Sequence, residues 1–248
     1  MALSGNRRIW LGNAQVVKLL GVGAIIGLHW LCLFGAVKIA NVSIALAGLA
    51  TMSLFTAFVE PLFMRRRIRP FEVFVGMIVV VGVCFIAGVE KTHALGLFIA
   101  LLSAFFAAVF LVMNQMIMMR GCDSMVMVGW EMLAATVVCF VAIPIFDTTG
   151  LPALLVNDAW DWLWIGILAI LCTVFAQELT NRLLRSISAY KINLVSNFEP
   201  VYGIIAAALI FGEHETLNPA FYLGAFAIIL ANFLHPVLQR RFASSGRA

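Results

Sequence analysis

Residues 190–212, YKINLVSNFEPVYGIIAAALIFG, combine the length of a membrane span with a polar centre. A helix rises about 1.5 Å per residue and the hydrocarbon core is about 30 Å thick, so such a stretch reaches across. Within it stand Asn193, Asn197 and Glu199, then Pro200 and Tyr202, before any purely apolar run. A carboxyl near the centre of a spanning helix costs roughly 2.5–3.5 kcal/mol on insertion scales, so its presence points to a function or to a partner group. Pro200 has no N–H and leaves the Ser196 carbonyl without its helical donor. A carboxyl, two amides and a freed carbonyl suit a helix that lines a polar cavity; the structural alternative is a proline kink whose polar groups bind a neighbouring helix. Asn193 and Asn197, four residues apart, share one stripe, with Glu199 and Tyr202 on the adjoining one. Amides so placed read polar groups of a small solute, or hold two helices together.

Three further positions could do chemistry. His29 falls about ten residues into an apolar run with Trp30 beside it, where an imidazole binds solute, exchanges protons or bonds to a neighbouring helix. Glu131 lies about one and a half turns into another run, facing an inner vestibule or pairing with Arg120 or Arg182. Glu199, His29 and Glu131 are therefore the candidates for ion coupling, since a buried carboxyl or imidazole can be neutral in one state and charged in another. Gln177 and Glu178 fall near the end of a run and are expected to be partly hydrated. Glu60-Pro61 looks like a twin of Glu199-Pro200 but lies beside the arginines at 65–67 and 69 and reads as an interfacial pair.

These residues are carried by eight expected spans: A, about 19–37; B, 42–64; C, 71–89; D, 94–119; E, 125–146; F, 160–180; G, 189–212; H, 219–238. The basic residues support that count. Arg7, Arg8, Lys18, the arginines at 65–67 and 69, Arg120, Arg182, Arg185, Lys191, Arg240, Arg241 and Arg247 all fall on one side. Of the 16 lysines and arginines only Lys38 and Lys91 fall opposite. By the positive-inside bias both termini are expected in the cytoplasm. Glycines 21, 23 and 27, glycines 76, 82 and 88, and Ser103, Ala104, Ala107 and Ala108 form small-residue runs that let helix backbones approach closely. Trp10, Trp160, Trp162 and Trp164 fall near the expected interfaces as aromatic anchors.

Composition sets the class. The 248 residues are 63% hydrophobic and 11% charged, with a net charge of +4 and a mean hydropathy of +1.05. A soluble domain carries about 25% charge. The apolar runs are continuous for about twenty residues rather than alternating, which selects an all-α polytopic bundle over a barrel. The charge reports orientation, and no nucleic-acid partner is expected. The five cysteines have neither metal-ligand nor disulfide spacing, so no metal is expected, and no cofactor either. No phosphate-binding loop motif occurs.

There is also an internal echo. Arg69-Pro70 opens segment C and Asn218-Pro219 opens segment H, with Gly76 and Gly224 at similar depth. The loops before them carry opposite charge, RRRIRP against GEHETLNP, as inverted repeats would. Together with His29-Trp30, the pattern NVSIALAGLATMSLFTAFVEPL and SISAYKINLVSNFEPVYGIIAAALIFGE, this resembles the EamA-type branch of the drug/metabolite transporter superfamily. The resemblance spans about residues 19–240. It implies ten helices in two inverted five-helix repeats that carry small organic solutes across a bacterial inner membrane. On that pattern residues 1–89 form a three-helix first repeat and 90–248 a five-helix second one, and two further helices are expected upstream in frame.

The function so expected is secondary active transport, by alternating access around a midplane cavity, and no enzyme activity. His29, Trp30, Asn193, Asn197, Glu199 and Tyr202 would contact the solute. The lipid bilayer, protons and a second copy of the chain are the other partners this admits. The rivals are a membrane-embedded enzyme acting on lipid-linked substrates, against which the scattered outer acids argue, and an inactive truncated transporter.

Overall fold

In a computed structural model of the chain, residues 12–87, 94–146, 158–199, 201–202 and 219–245 are described. Pro200, the second half of segment G, Arg7, Arg8, Trp10, Gly88 and Lys91 lie outside them. The described elements are all helical: α1 (Asn13–Ile39), α2 (Val42–Ala50), α3 (Met52–Met64), α4 (Pro70–Ala87), α5 (Ala94–Met119), α6 (Ser124–Phe146), α7 (Ala159–Ile167), α8 (Ala176–Leu183), α9 (Ala189–Ser196) and α10 (Pro219–Ser245). Between α7 and α8, Leu168–Phe175 form a π-helical segment.

Among the described residues, five helical stretches are long and apolar enough to cross a membrane: Asn13–Ile39, Ile44–Met64, Ala94–Met119, Ser124–Pro144 and Ala159–Leu183. Two shorter apolar stretches lie in α4 and α10, and α9 has only eight residues. Eight uniform spans are therefore not what the described residues display, although segment D and α5 share both ends. Two interruptions were not foreseen. Segment B is divided at Thr51, whose N–H and hydroxyl both turn back to the Gly48 carbonyl. Segment F is underwound into π geometry, and the Thr173 hydroxyl reaches the Leu168 carbonyl five residues back. Side chains that bond their own backbone in this way bend helices.

Helix starts follow local chemistry. Asn41 caps α2 by accepting from the Ile44 N–H, Asp158 caps α7 through Trp160 N–H, and Asp123 accepts from the N–H groups of Met125 and Val126 at the head of α6. Each satisfies amides that a helix start leaves orphaned. Pro70 begins α4, where its missing N–H is not needed.

The chain forms two compact units, one from residues 1–28 and 113–188, the other from 29–112 and 189–248. In the first, α1 lies against α6 at two glycines. A Cβ on Gly23 would collide with the Glu131 carbonyl oxygen, and one on Gly27 would lie 2.9 Å from Val138 Cβ. Gly21 meets nothing and is not part of that contact. In the second, Ala47, Ala50, Ala57, Val75, Val79, Tyr190, Leu194, Ile228 and Ala231 make one core from α2, α3, α4, α9 and α10. Gly82 lets α4 approach α10, since a Cβ there would stand 2.9 Å from the Gly224 carbonyl oxygen. The small residues of segment D are buried as expected, with Ala100, Ala104 and Ala107 against residues of α1 to α3.

The second unit also contains a buried ionic knot. Glu60 and Glu72 are 3% and 2% exposed. Arg66 Nη2 lies 3.2 Å from Glu60 Oε1 and 2.9 Å from Glu72 Oε2. Arg69 Nη1 reaches Glu72 Oε1 at 3.2 Å. The remaining Glu60 oxygen accepts from the Tyr190 N–H at 2.9 Å, and the Tyr190 hydroxyl donates to the Glu72 carbonyl at 2.8 Å. Every carboxylate oxygen of the pair is thereby matched. His235 of α10 stacks on Tyr190 and Phe71 at ring-centroid distances of 5.2 and 5.6 Å.

Arg66→Ala would leave the buried Glu60 carboxylate without its cation and Glu72 with Arg69 alone; breaking a buried pair typically costs about 3–5 kcal/mol. Thermal unfolding in detergent is expected to show a clear fall in midpoint for Arg66→Ala and almost none for Arg67→Ala, whose side chain is exposed. Equal midpoints for the two would show that the knot contributes little.

Candidate functional site

The polar centre of segment G is held against α3 by its two amides. Asn193 is 1% exposed and its Nδ2 donates to Thr56 Oγ1 at 2.6 Å. Asn197 meets Ser53 Oγ at 2.9 Å. With its oxygen accepting from that hydroxyl, the Asn197 nitrogen is placed to donate to the carbonyls of Ala50 at 2.8 Å and Asn193 at 3.2 Å. This orientation satisfies donor and acceptor alike. The asparagine stripe is thus a helix–helix tie, built on the same i, i+4 face that the sequence indicates.

At Asn197 the α-helix gives way. The N–H groups of Asn197 and Phe198 bond three residues back, to Leu194 and Val195, at 3.3 and 3.1 Å. Four-residue bonding returns at Tyr202, whose N–H meets the Phe198 carbonyl. The break precedes Pro200, which has no N–H to offer the Ser196 carbonyl. Glu199 follows the turn, half-buried, at the edge of a narrow cleft lined by Leu46, Leu49, Met52, Asn197 and Glu199 itself. Tyr202 is 60% exposed.

His29 and Trp30 do not join this group in any described contact. His29 is buried, and its Nδ1 lies 3.0 Å from the Ser103 carbonyl oxygen and 2.8 Å from Ser103 Oγ. A carbonyl only accepts, so that bond places the proton on Nδ1. The Ser103 hydroxyl donates in turn to the His29 carbonyl at 3.1 Å. The ring packs on Phe110 with centroids 5.6 Å apart. The pair locks α1 to α5.

Glu131 corrects an expectation. It is fully buried and is not paired with Arg120 or Arg182. Arg182 Nε instead donates to Glu178, and Ser124 Oγ donates to the same carboxylate oxygen at 3.0 Å. Glu178 is 6% exposed rather than partly hydrated, because Ser124 and Arg182 enclose it. Glu131 meets amides: Asn114 Nδ2 lies 3.4 Å from its Oε2 and 3.2 Å from Asn181 Oδ1. Asn114 and Asn181, both fully buried, were missed in the sequence. The signal was available, since Asn114-Gln115 interrupts an otherwise apolar run, LVMNQMIMM, where two amides are costly without partners.

The EamA-like transporter family matches residues 94–235. The chain belongs to that family. It is accordingly a multi-pass membrane protein of a family that moves small solutes. No curated protein matches the chain. A crystal structure of another protein is similar in fold, with a TM-score of 0.73 and 17% identity, covering 95% of this chain and 80% of that one.

The Asn193–Thr56 bond yields a test. In a double-mutant cycle of Asn193→Ala and Thr56→Val, the coupling energy is expected at about 0.6 kcal/mol, the average for interhelical hydrogen bonds in membranes. Additive effects of the two substitutions would mean that the bond does not form in the bilayer.

Proposed function

We propose that the protein is a secondary active transporter of small organic solutes, with Glu199 at the solute site and the helix break beside it as the moving part. The observation that carries this reading is the turn at Asn197–Phe198, which interrupts a spanning sequence next to a carboxyl. Interrupted spans supply unpaired backbone groups to a solute at membrane depth, and family membership supplies the transport context. The two asparagines hold one side of the break to α3, so that Glu199 and Tyr202 are carried by the segment beyond it. His29 and Trp30 complete the proposed solute contacts. The inverted repeats at 1–89 and 90–248, alternating access, proton coupling, a second copy of the chain and a bacterial inner-membrane location with cytoplasmic termini belong to the same proposal.

Two measurements test it. Glu199→Gln preserves shape and removes the titrating proton. In proteoliposomes it is expected to abolish pH-driven accumulation while solute exchange continues. Undiminished uphill uptake would make Glu199 a structural group. Labelling of a single cysteine introduced at residue 248 is expected only from the cytoplasmic side, and labelling from outside would overturn the orientation.

A further inference from the structure

Four buried polar atoms in the first unit have no hydrogen-bond partner: Glu131 Oε1, Asn114 Oδ1, Gln177 Nε2 and Asn181 Nδ2. Asn114, Gln177 and Asn181 all approach the Glu131 carboxyl as hydrogen-bonding neighbours. Three of the four residues, Asn114, Glu131 and Asn181, are fully buried. An unspent polar atom in such a place typically costs about 1–3 kcal/mol, so four at one point call for an explanation. The set is balanced, with two acceptors and two donors. Gln177 and Asn181, four residues apart on α8, present the donors from one face.

A single proton resolves the mismatch in two ways. When Glu131 is ionised, Oε1 is an acceptor, and the Gln177 and Asn181 amide nitrogens are the donors it needs. When Oε1 carries a proton it becomes a donor, and Asn114 Oδ1 is the acceptor it needs. Asn114 Nδ2 already faces Oε2, so the protonated acid and this amide close a cyclic pair, O–H to amide oxygen and N–H to carboxyl oxygen. Each protonation state has its own partners and neither leaves the acid bare.

We propose that Asn114, Glu131, Gln177 and Asn181 form a proton-loading site, with Asn114 holding the loaded form and the two α8 amides holding the unloaded one. This deepens the reading of Glu131 as a coupling residue and rests on that reading only for what the proton drives. In loading, Oε1 takes a proton from hydronium and releases water; unloading returns the proton to water. Several of the charged and titratable groups on the surrounding elements are engaged elsewhere. Glu178 is paired with Arg182, Asp123 caps α6, Arg185 donates to the Cys122 carbonyl, and His29, farther along α1, is bonded to Ser103. Lys18 and Arg120 make no ion pair with Glu131 among the described residues. Cys122, in the turn before α6, does sense it: burial, then the charges of Asp123 and Glu131, push that thiol up. Gly23 supports the site from α1, where only a missing side chain lets the helix lie against the Glu131 backbone.

The test is infrared difference spectroscopy of the full chain in lipid vesicles across pH, in sodium and in potassium buffer. A protonated-carboxyl C=O band that titrates and is lost in Glu131→Gln is expected. Asn114→Leu should move that band to higher frequency, because the cyclic pair is gone. Gln177→Leu should leave the ionised form short of a donor, so its band persists to higher pH by about one unit. A band present at every pH marks a permanently neutral acid and overturns the proposal. So do the absence of any band that Glu131→Gln removes, and a band that changes between sodium and potassium, which marks a metal-cation site. Solute uptake in the same vesicles is read separately: its absence sinks the transport reading and leaves the titration as it is.

Discussion

Two carboxylates with almost no exposure, Glu60 at the end of α3 and Glu72 at the start of α4, face the same guanidinium, and the second unit is arranged around that contact. Taking such charges out of water costs several kcal/mol each, which only close pairing and full hydrogen bonding recover. Arg66 and Arg69 supply the charge, and the last Glu60 oxygen is taken by the backbone of Tyr190. Tyr190 is the second residue of α9, where helix N–H groups lack internal partners. The carboxylate thus satisfies an orphan donor and meets the positive end of the α9 dipole. The position of α9, and with it Asn193, Asn197 and Glu199, follows from an ion pair about two turns away.

Above the knot the helices are joined by small residues and a few hydrogen bonds rather than by large apolar side chains. In lipid there is little hydrophobic gain from pairing two apolar helices, so close backbone contact and polar ties must supply the attraction. Gly48 against Ala100 and Gly82 against Gly224 are the first kind. Asn193 to Thr56 and His29 to Ser103 are the second. The large residues face outward in consequence: Phe98, Phe140, Trp160 and Trp164 are all more than half exposed.

Where the helices deviate from regularity, the cause is local. Thr51 and Thr173 bond their own backbones and mark the division of segment B and the π segment of F. The turn at Asn197–Phe198 precedes a proline. Such positions are the natural places for a membrane protein to bend, because backbone groups freed there find protein partners instead of lipid.

The class, the helical architecture and the family were legible in the sequence, because continuous apolar runs about twenty residues long have few physical solutions. So were the close-packing glycines at 23, 27, 76 and 82, and the pairing of Glu60 with the nearby arginines. Partner choice was not. Nothing in the spacing of Asn193 and Asn197 says whether amides on one stripe face a solute or Thr56 and Ser53, because periodicity fixes a face and not what lies opposite. Glu131 looked like a partner for Arg182, yet Arg182 is held by Glu178 four residues earlier on its own helix, and Glu131 is left among amides from α5 and α8. Asn114 lies 17 positions from Glu131 and 67 from Asn181 along the chain, and only packing of the helices brings the amides to one carboxyl. The sequence determined which groups are too polar for lipid; the tertiary structure decided which of them answer one another, because each must find its complement wherever the fold places one.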